Sequence, residues 1–179
     1  MTEENEVVIE GEVLKDEWFI SAINGEENKL KKLYKENRGR QDENGCTALM
    51  YCASSGRADC VKMLIKSGKE ELKRIDNSGR TALMYAAING HEEVVKILVK
   101  LEGGIFDNEG KTAYNHAVEN GNAACQKILQ DTDGGDETKD AKEENIENKK
   151  KLDNLQKANS EAQKEIDGKK QKKGWEMGV

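Results

Sequence analysis

The stretch from Asp76 to Lys100 reads DNSGRTALMYAAINGHEEVVKILVK. It opens on Asp76 and Gly79, residue types that close tight turns, with Gly able to take a positive φ. Thr81 follows, and its hydroxyl can accept a backbone N–H and cap a helix. The next segment, ALMYAAI, begins on Ala, the strongest helix former. Its small residues Ala86 and Ala87 let a neighbouring helix approach closely. Gly90 stands where a helix commonly ends. Beyond it, VVKILVK is apolar at spacings of three and four, the period of a second helix. The stretch predicts a turn and a helical hairpin whose apolar face one pair of helices cannot bury alone.

The same phrase stands on both sides of it. DENGCTALMYCASSGRADCVKMLIKSG runs from Asp42, and DNEGKTAYNHAVENGNAACQKILQD from Asp107. The leading Asp recurs after 34 and then 31 residues. Gly45, Gly79 and Gly110 align, as do Thr47, Thr81 and Thr112, and then Gly56, Gly90 and Gly121. Internal spacing is identical in the three copies, so the change in length falls in the linkers. A catalytic signature occurs once per active site. A phrase repeated at such a period marks a stacked array, in which each unit supplies the wall its neighbour lacks.

The pattern resembles the ankyrin repeat, a unit of ~33 residues with the signature T-P-L-H-x-A. In the middle copy Asp76, Gly79, Thr81, Leu83, Ala86, Ala87, Gly90, His91, Glu93, Val94, Val95 and Leu98 fall where that family has like residues. The TALM wording is similar to that of large ankyrin families in parasitic protists. Ala48, Ala82 and Ala113 replace the family's Pro at the first helical position, at little cost. The family's His becomes Met50, Met84 and Asn115. In ankyrins that His joins hydrogen bonds tying the turns together. Met cannot do so, which predicts less firmly tied turns. The resemblance implies an all-α ankyrin-repeat solenoid of stacked helix-turn-helix units, with repeats over 42–75 and 76–106 and a partial C-terminal repeat over 107–131.

Upstream, DEWFISAINGEENKLKKLYKEN fits the same register. Asp16 takes the capping place of Thr, Trp18 the place of Leu83, and Leu30 and Leu33 the places of Val95 and Leu98. Gly11 stands where the turn Asp is expected. Residues 13–41 are thus a degenerate N-terminal capping repeat, since terminal repeats are atypical. Residues 1–12 are expected to be a flexible N-terminus, and no element is assigned to Val7–Val13. Downstream, residues 132–140 are a polar linker, and 141–179 a charged tail, helical or disordered. There Glu147–Lys151, Asp153–Lys157 and Glu165–Lys169 are i,i+4 pairs that support a helix. Leu152, Leu155, Ala162 and Ile166 share one narrow face, too short for a coiled coil. The closing KKQKKGWEMGV reads as a mobile tail.

Composition excludes several classes. Of 179 residues 35% are hydrophobic and 36% charged, with a net charge of -6. An acidic chain lacks the positive face that grips nucleic-acid phosphates. No apolar run is long enough to span a bilayer, and the start lacks the pattern of a secretory signal. A cytoplasmic location, with nuclear access, is expected. Four cysteines with no CxxC spacing read as reduced thiols. Cys60 and Cys125 occupy the slot of Val94, and Cys52 that of Ala86, so all three read as small core hydrophobes. Cys46 sits in a turn and is expected to be exposed, the one candidate reactive thiol. His91 is the family's usual residue, and His116 takes the slot of Tyr51 and Tyr85. No zinc cluster, phosphate loop or dinucleotide fingerprint is present. The expectation is therefore no catalytic residue, no metal and no cofactor.

In ankyrins the variable positions of the turn and of the first helix's end contact protein partners. Carried over, these are Glu43, Asn44, Cys46, Ser54 and Ser55 in the first copy. In the second they are Asn77, Ser78, Arg80, Ile88 and Asn89, and in the third Asn108, Glu109, Lys111, Glu119 and Asn120. Tyr51, Tyr85 and His116 form a column between the rows, either as binding anchors or as packing between first helices. The function implied is a protein-binding scaffold or adaptor, without nucleic acid or membrane. The alternative is a structural or oligomerising protein whose C-terminal helix self-associates weakly through residues 146–166 or docks a partner helix.

Overall fold

The structure, a computed structural model, describes residues 7–9, 12–14, 16–130 and 132. Eight helices follow one another in these residues. They pair as α1 (Glu17–Asn24) with α2 (Glu27–Asn37), α3 (Ala48–Ser54) with α4 (Ala58–Ser67), α5 (Ala82–Ile88) with α6 (Glu92–Glu102), and α7 (Ala113–Glu119) with α8 (Ala123–Leu129). The first helices pack in a row, α5 between α3 and α7, and the second helices form a parallel row behind them. This is the stacked all-α solenoid that the repeat implies.

Each first helix starts where the sequence places its cap. Thr47, Thr81 and Thr112 are extended, and each side-chain oxygen accepts the N–H three residues on, from Met50, Met84 and Asn115. Asp16 caps α1 by accepting the N–H two residues on, from Trp18, at 3.0 Å. Apolar side chains then point inward from both rows. Trp18, Leu30, Leu49, Leu64, Leu83, Leu98 and Leu129 are all buried in one continuous core.

A difference appears at the N-terminus. Two short strands, β1 (Val7–Ile9) and β2 (Glu12–Leu14), pair antiparallel with Val7 opposite Leu14. The hairpin runs from the stretch read as flexible, residues 1–12, into the first residues of the expected capping repeat, Val13 and Leu14, because VVI and EVL are rich in β-branched and apolar residues. Only Glu10 and Gly11 separate them, a common hairpin connection length. The linker expected over 132–140 and the tail over 141–179 lie, apart from Thr132, outside the described residues.

The turns between units are stitched together by main-chain bonds. Asn77 N donates to Asn44 O and Asn108 N to Ser78 O, each at 3.0 Å. The Asn77 and Asn108 amides reach back to Glu43 O and Asn77 O at 3.0 and 2.9 Å. Gly79 sits inside this ladder at φ 81, and a Cβ there would lie 2.7 Å from Asn108 N. Gly110 has φ 76 and no atom of the described residues within 4 Å of such a Cβ. Both Ala substitutions carry the strain of a positive φ, on the order of 1–3 kcal/mol, but only Gly79→Ala also collides with backbone. Thermal unfolding is expected to show Gly79→Ala losing clearly more stability than Gly110→Ala. Equal losses would mean that the turns are not packed against each other.

Candidate functional site: the turn tips and first helices

Each turn is organised by its leading aspartate. Asp76 Oδ1 accepts from the N–H groups of Ser78 and Arg80, both at 2.8 Å, and Oδ2 accepts from Tyr85 OH at 2.6 Å. Asp42 repeats this with Asn44 and Cys46 at 3.0 and 2.7 Å and Tyr51 OH at 2.5 Å. Asp107 does so with Glu109 and Lys111, both at 2.9 Å, and its Oδ2 meets His116 Nε2 at 2.7 Å. Burial would raise the Asp107 carboxyl, but the Lys111 and Glu109 N–H groups and the His116 ring outweigh it and hold it below its ordinary range.

These bonds alter two expectations. The turns are firmly tied, because Tyr51, Tyr85 and His116 bond the turn aspartates Asp42, Asp76 and Asp107. Position 50 also contributes, since the Thr47 N–H lies 3.4 Å from Met50 Sδ, and Asn115 Oδ1 accepts from the Thr112 N–H at 2.9 Å. The aromatic column is accordingly structural at its polar ends. Tyr51 and Tyr85 are half-buried, and His116 is only 3% exposed. His116 therefore offers no surface to a partner.

Cys46 is a further correction. It is buried, 8% exposed, and not an accessible thiol. Tyr85 of the next unit covers it, with Cys46 Sγ 3.7 Å from the hydroxyl. Cys52, Cys60 and Cys125 are buried in the core as small hydrophobes. Burial pushes the Cys52 thiol up, with the Cys60 side chain its hydrogen-bonding neighbour.

The remaining candidates form the edge of the stack. Asn77, Ser78, Asn89, Asn108, Glu109 and Glu119 are exposed, with Glu43, Asn44 and Asn120 beside them. Ser54, Ser55, Arg80, Ile88 and Lys111 are half-buried. Asn89 Nδ2 bridges units by donating to Ser54 Oγ at 3.2 Å. Lys111 is neutralised by Glu109 and Glu119, each at 2.9 Å. At the far end of the first helices, Arg57 Nε donates to Ile23 O, His91 Nε2 meets Ser54 O, and Asn122 Nδ2 donates to Ile88 O. The presented side chains therefore ride on a backbone held from both ends.

Two buried carboxyls escaped the sequence reading. Glu102 is 1% exposed and accepts from the N–H groups of Lys73 and Leu83, both at 2.9 Å. Glu71 is 5% exposed and accepts from the Leu49 N–H at 2.7 Å. Glu71 reaches from the segment after α4, and Glu102 from the last residue of α6, to the start of the first helix of its own unit. The signal was present, since both stand five residues ahead of a turn aspartate, Asp76 or Asp107. Burial raises both carboxyls, against the opposing N–H groups.

Among the described residues no group of His, Cys, Asp and Glu could hold a metal ion. No helix among them is long and apolar enough to cross a membrane.

Comparison with known proteins agrees with this geometry. A family model for ankyrin repeats, in three copies, matches residues 18–108 and 72–142. The chain is similar to Inversin of Danio rerio, 44% identical over 50 residues, which cover 27% of this chain and 5% of that protein. It is also similar to Inversin of Gallus gallus, 38% identical over 61 residues, covering 32% of this chain and 6% of that one. The chain thus spans a small fraction of the length of these relatives. Ankyrin repeats are in general protein–protein interaction units. The repeated turns, the stacked hairpins and a family match over well over half of its length lead to one conclusion: this chain belongs to the ankyrin repeat family.

Proposed function

We propose that this chain is a non-enzymatic protein-binding scaffold or adaptor, which takes its partner on the turn tips and the exposed ends of the first helices. The observation that carries this is the tip row itself. Asn44, Asn77, Ser78, Asn108 and Glu109 are exposed, yet their main chain is fixed by the ladder of bonds between units. A partner binding there does not have to order a loose loop, which lowers the entropy cost of association. The buried thiols Cys52, Cys60 and Cys125 in the core suit a reducing compartment, and a cytoplasmic location with nuclear access fits them. The self-associating alternative rests on residues 146–166, outside the described residues, and no observation favours it.

The test separates surface from scaffold. Ser78 and Glu109 are exposed on the tips, so Ser78→Arg with Glu109→Arg should block docking by bulk. Exposed substitutions of this kind change stability by about 0.5 kcal/mol or less. A partner captured by the wild-type chain is expected to be lost, with an unchanged melting temperature. Retained capture by this variant would refute the surface. The tyrosines serve as the contrast. Tyr51→Phe and Tyr85→Phe each remove a bond to a turn carboxylate, and each should cost roughly 1–3 kcal/mol of stability.

A further inference from the structure

Arg80 is the least satisfied polar side chain on this surface. Its backbone is locked into the middle turn, with N donating to Asp76 Oδ1 at 2.8 Å and O accepting from Asp76 N at 3.0 Å. The residue is half-buried, and its Nε is shielded from solvent without a hydrogen-bond partner. Buried polar groups are nearly always hydrogen-bonded, so each exception needs a reason. Among the described residues no carboxylate forms an ion pair with Arg80, whereas Arg40 pairs with Asp16, Arg38 with Glu70 and Lys111 with Glu109 and Glu119.

The equivalent positions sharpen the contrast. In the first unit this slot is Cys46, neutral and covered by Tyr85. In the third it is Lys111, neutralised by two glutamates. Among the described residues, the centre of the row alone carries a cation with no acidic partner. Part of the guanidinium has already lost its water, so a carboxylate that meets it has less water to displace. It also acts across a medium of lower dielectric than bulk solvent. Arg is the side chain whose planar fork matches a carboxylate.

We propose that the partner is a peptide segment that places one Asp or Glu carboxylate on Arg80, between the exposed tips at Ser78 and Glu109. This rests on the reading of the tip row as the binding face. The surrounding charge limits the segment further. Glu43, Glu109 and Glu119 are exposed along the same row, and the chain carries a net charge of -6. A run of acids, or a phosphate dianion, would be repelled. The segment therefore carries a single acid among neutral or basic residues.

The experiment uses a random peptide library displayed on phage, selected on the full chain. Enriched peptides are expected to share one fixed Asp or Glu. A synthetic copy should bind Arg80→Gln about 10- to 100-fold more weakly than wild type, the range for one charge-assisted contact. Changing the peptide's acid to its amide should cost the same, and combining both changes should cost no more. Arg80→Gln should melt with the wild type, which excludes a folding defect. Enriched peptides without a fixed acid, or with a fixed phosphate-like acidic run, overturn the inference, as does equal affinity for Arg80→Gln. If Ser78→Arg with Glu109→Arg blocks these peptides and Arg80→Gln does not, the carboxylate assignment alone fails. If neither variant weakens them, or no peptide is enriched, the binding face itself fails as well.

Discussion

Leu83→Ala is expected to remove about 2–5 kcal/mol of stability, the range for deleting a large aliphatic side chain from a packed core. Leu83 is fully buried on α5, and α5 packs against both α3 and α7. In a stack, stability is close to a sum of units and nearest-neighbour interfaces. A cavity at the central first helix weakens two interfaces at once. The urea midpoint should fall steeply, and the transition should broaden as the two ends uncouple. Val118→Ala is the control, because Val118 on α7 is 46% exposed and should change stability little. A Leu83→Ala protein as stable as wild type would mean that the hairpins do not depend on one another.

Leu83 was legible because its role is set by spacing. Thr81 fixes the helix start, and a residue two positions on must face the neighbour. The same logic placed Leu49 and Trp18 in the core. What the sequence concealed are the contacts that depend on side-chain reach between elements. Cys46 looks exposed from its own turn, and only the length of Tyr85, one unit later, covers it. The tyrosines read equally as binding anchors or as packing, because Tyr51 and Tyr85 stand nine positions beyond Asp42 and Asp76 along the chain. The helix start brings each hydroxyl back over its own turn. This is also why loss of the family's His does not loosen the turns. The residue after that position on the same helix, Tyr51, Tyr85 or His116, ties the turn through its aspartate.

Glu71 and Glu102 were hidden for a different reason. Glu71 in its lysine-rich linker and Glu102 at the end of α6 are acids of a kind ordinarily solvated, and a charge count cannot tell a surface acid from a buried one. Recurrence at a fixed distance ahead of the turn aspartate was the usable sign. Its physical basis is that first helices begin with unsatisfied N–H groups, and a carboxyl is a favourable acceptor there.

These buried carboxyls should make the stack more stable in mild acid than above neutrality. Burial pushes Glu71 from an ordinary value of 4.5 up to about 7. The Leu49 and Gly39 N–H groups and Arg74 oppose the shift, and Glu70 adds to it. Between about pH 4.5 and 7 the folded chain then holds a proton that the unfolded chain has released. This contribution to stability is fully present below 4.5 and is lost as the pH rises through about 7. The loss is on the order of 3 kcal/mol for this one group. Glu102 is raised as well, by burial against the Lys73 and Leu83 N–H groups and Thr81, and acts with the same sign. Asp107 acts oppositely, but its carboxyl is held below 3.8, so its contribution is lost only in stronger acid. Urea unfolding at pH 5 and pH 8 is expected to show the wild-type chain more stable at pH 5. Glu71→Gln keeps a carbonyl oxygen for the Leu49 N–H but cannot titrate, so it should lose much of that difference. Groups common to both chains cancel in the comparison. If the two proteins change equally between pH 5 and pH 8, Glu71 is charged when folded, and the carboxyl seated on the α3 start does not govern the stack's response to pH.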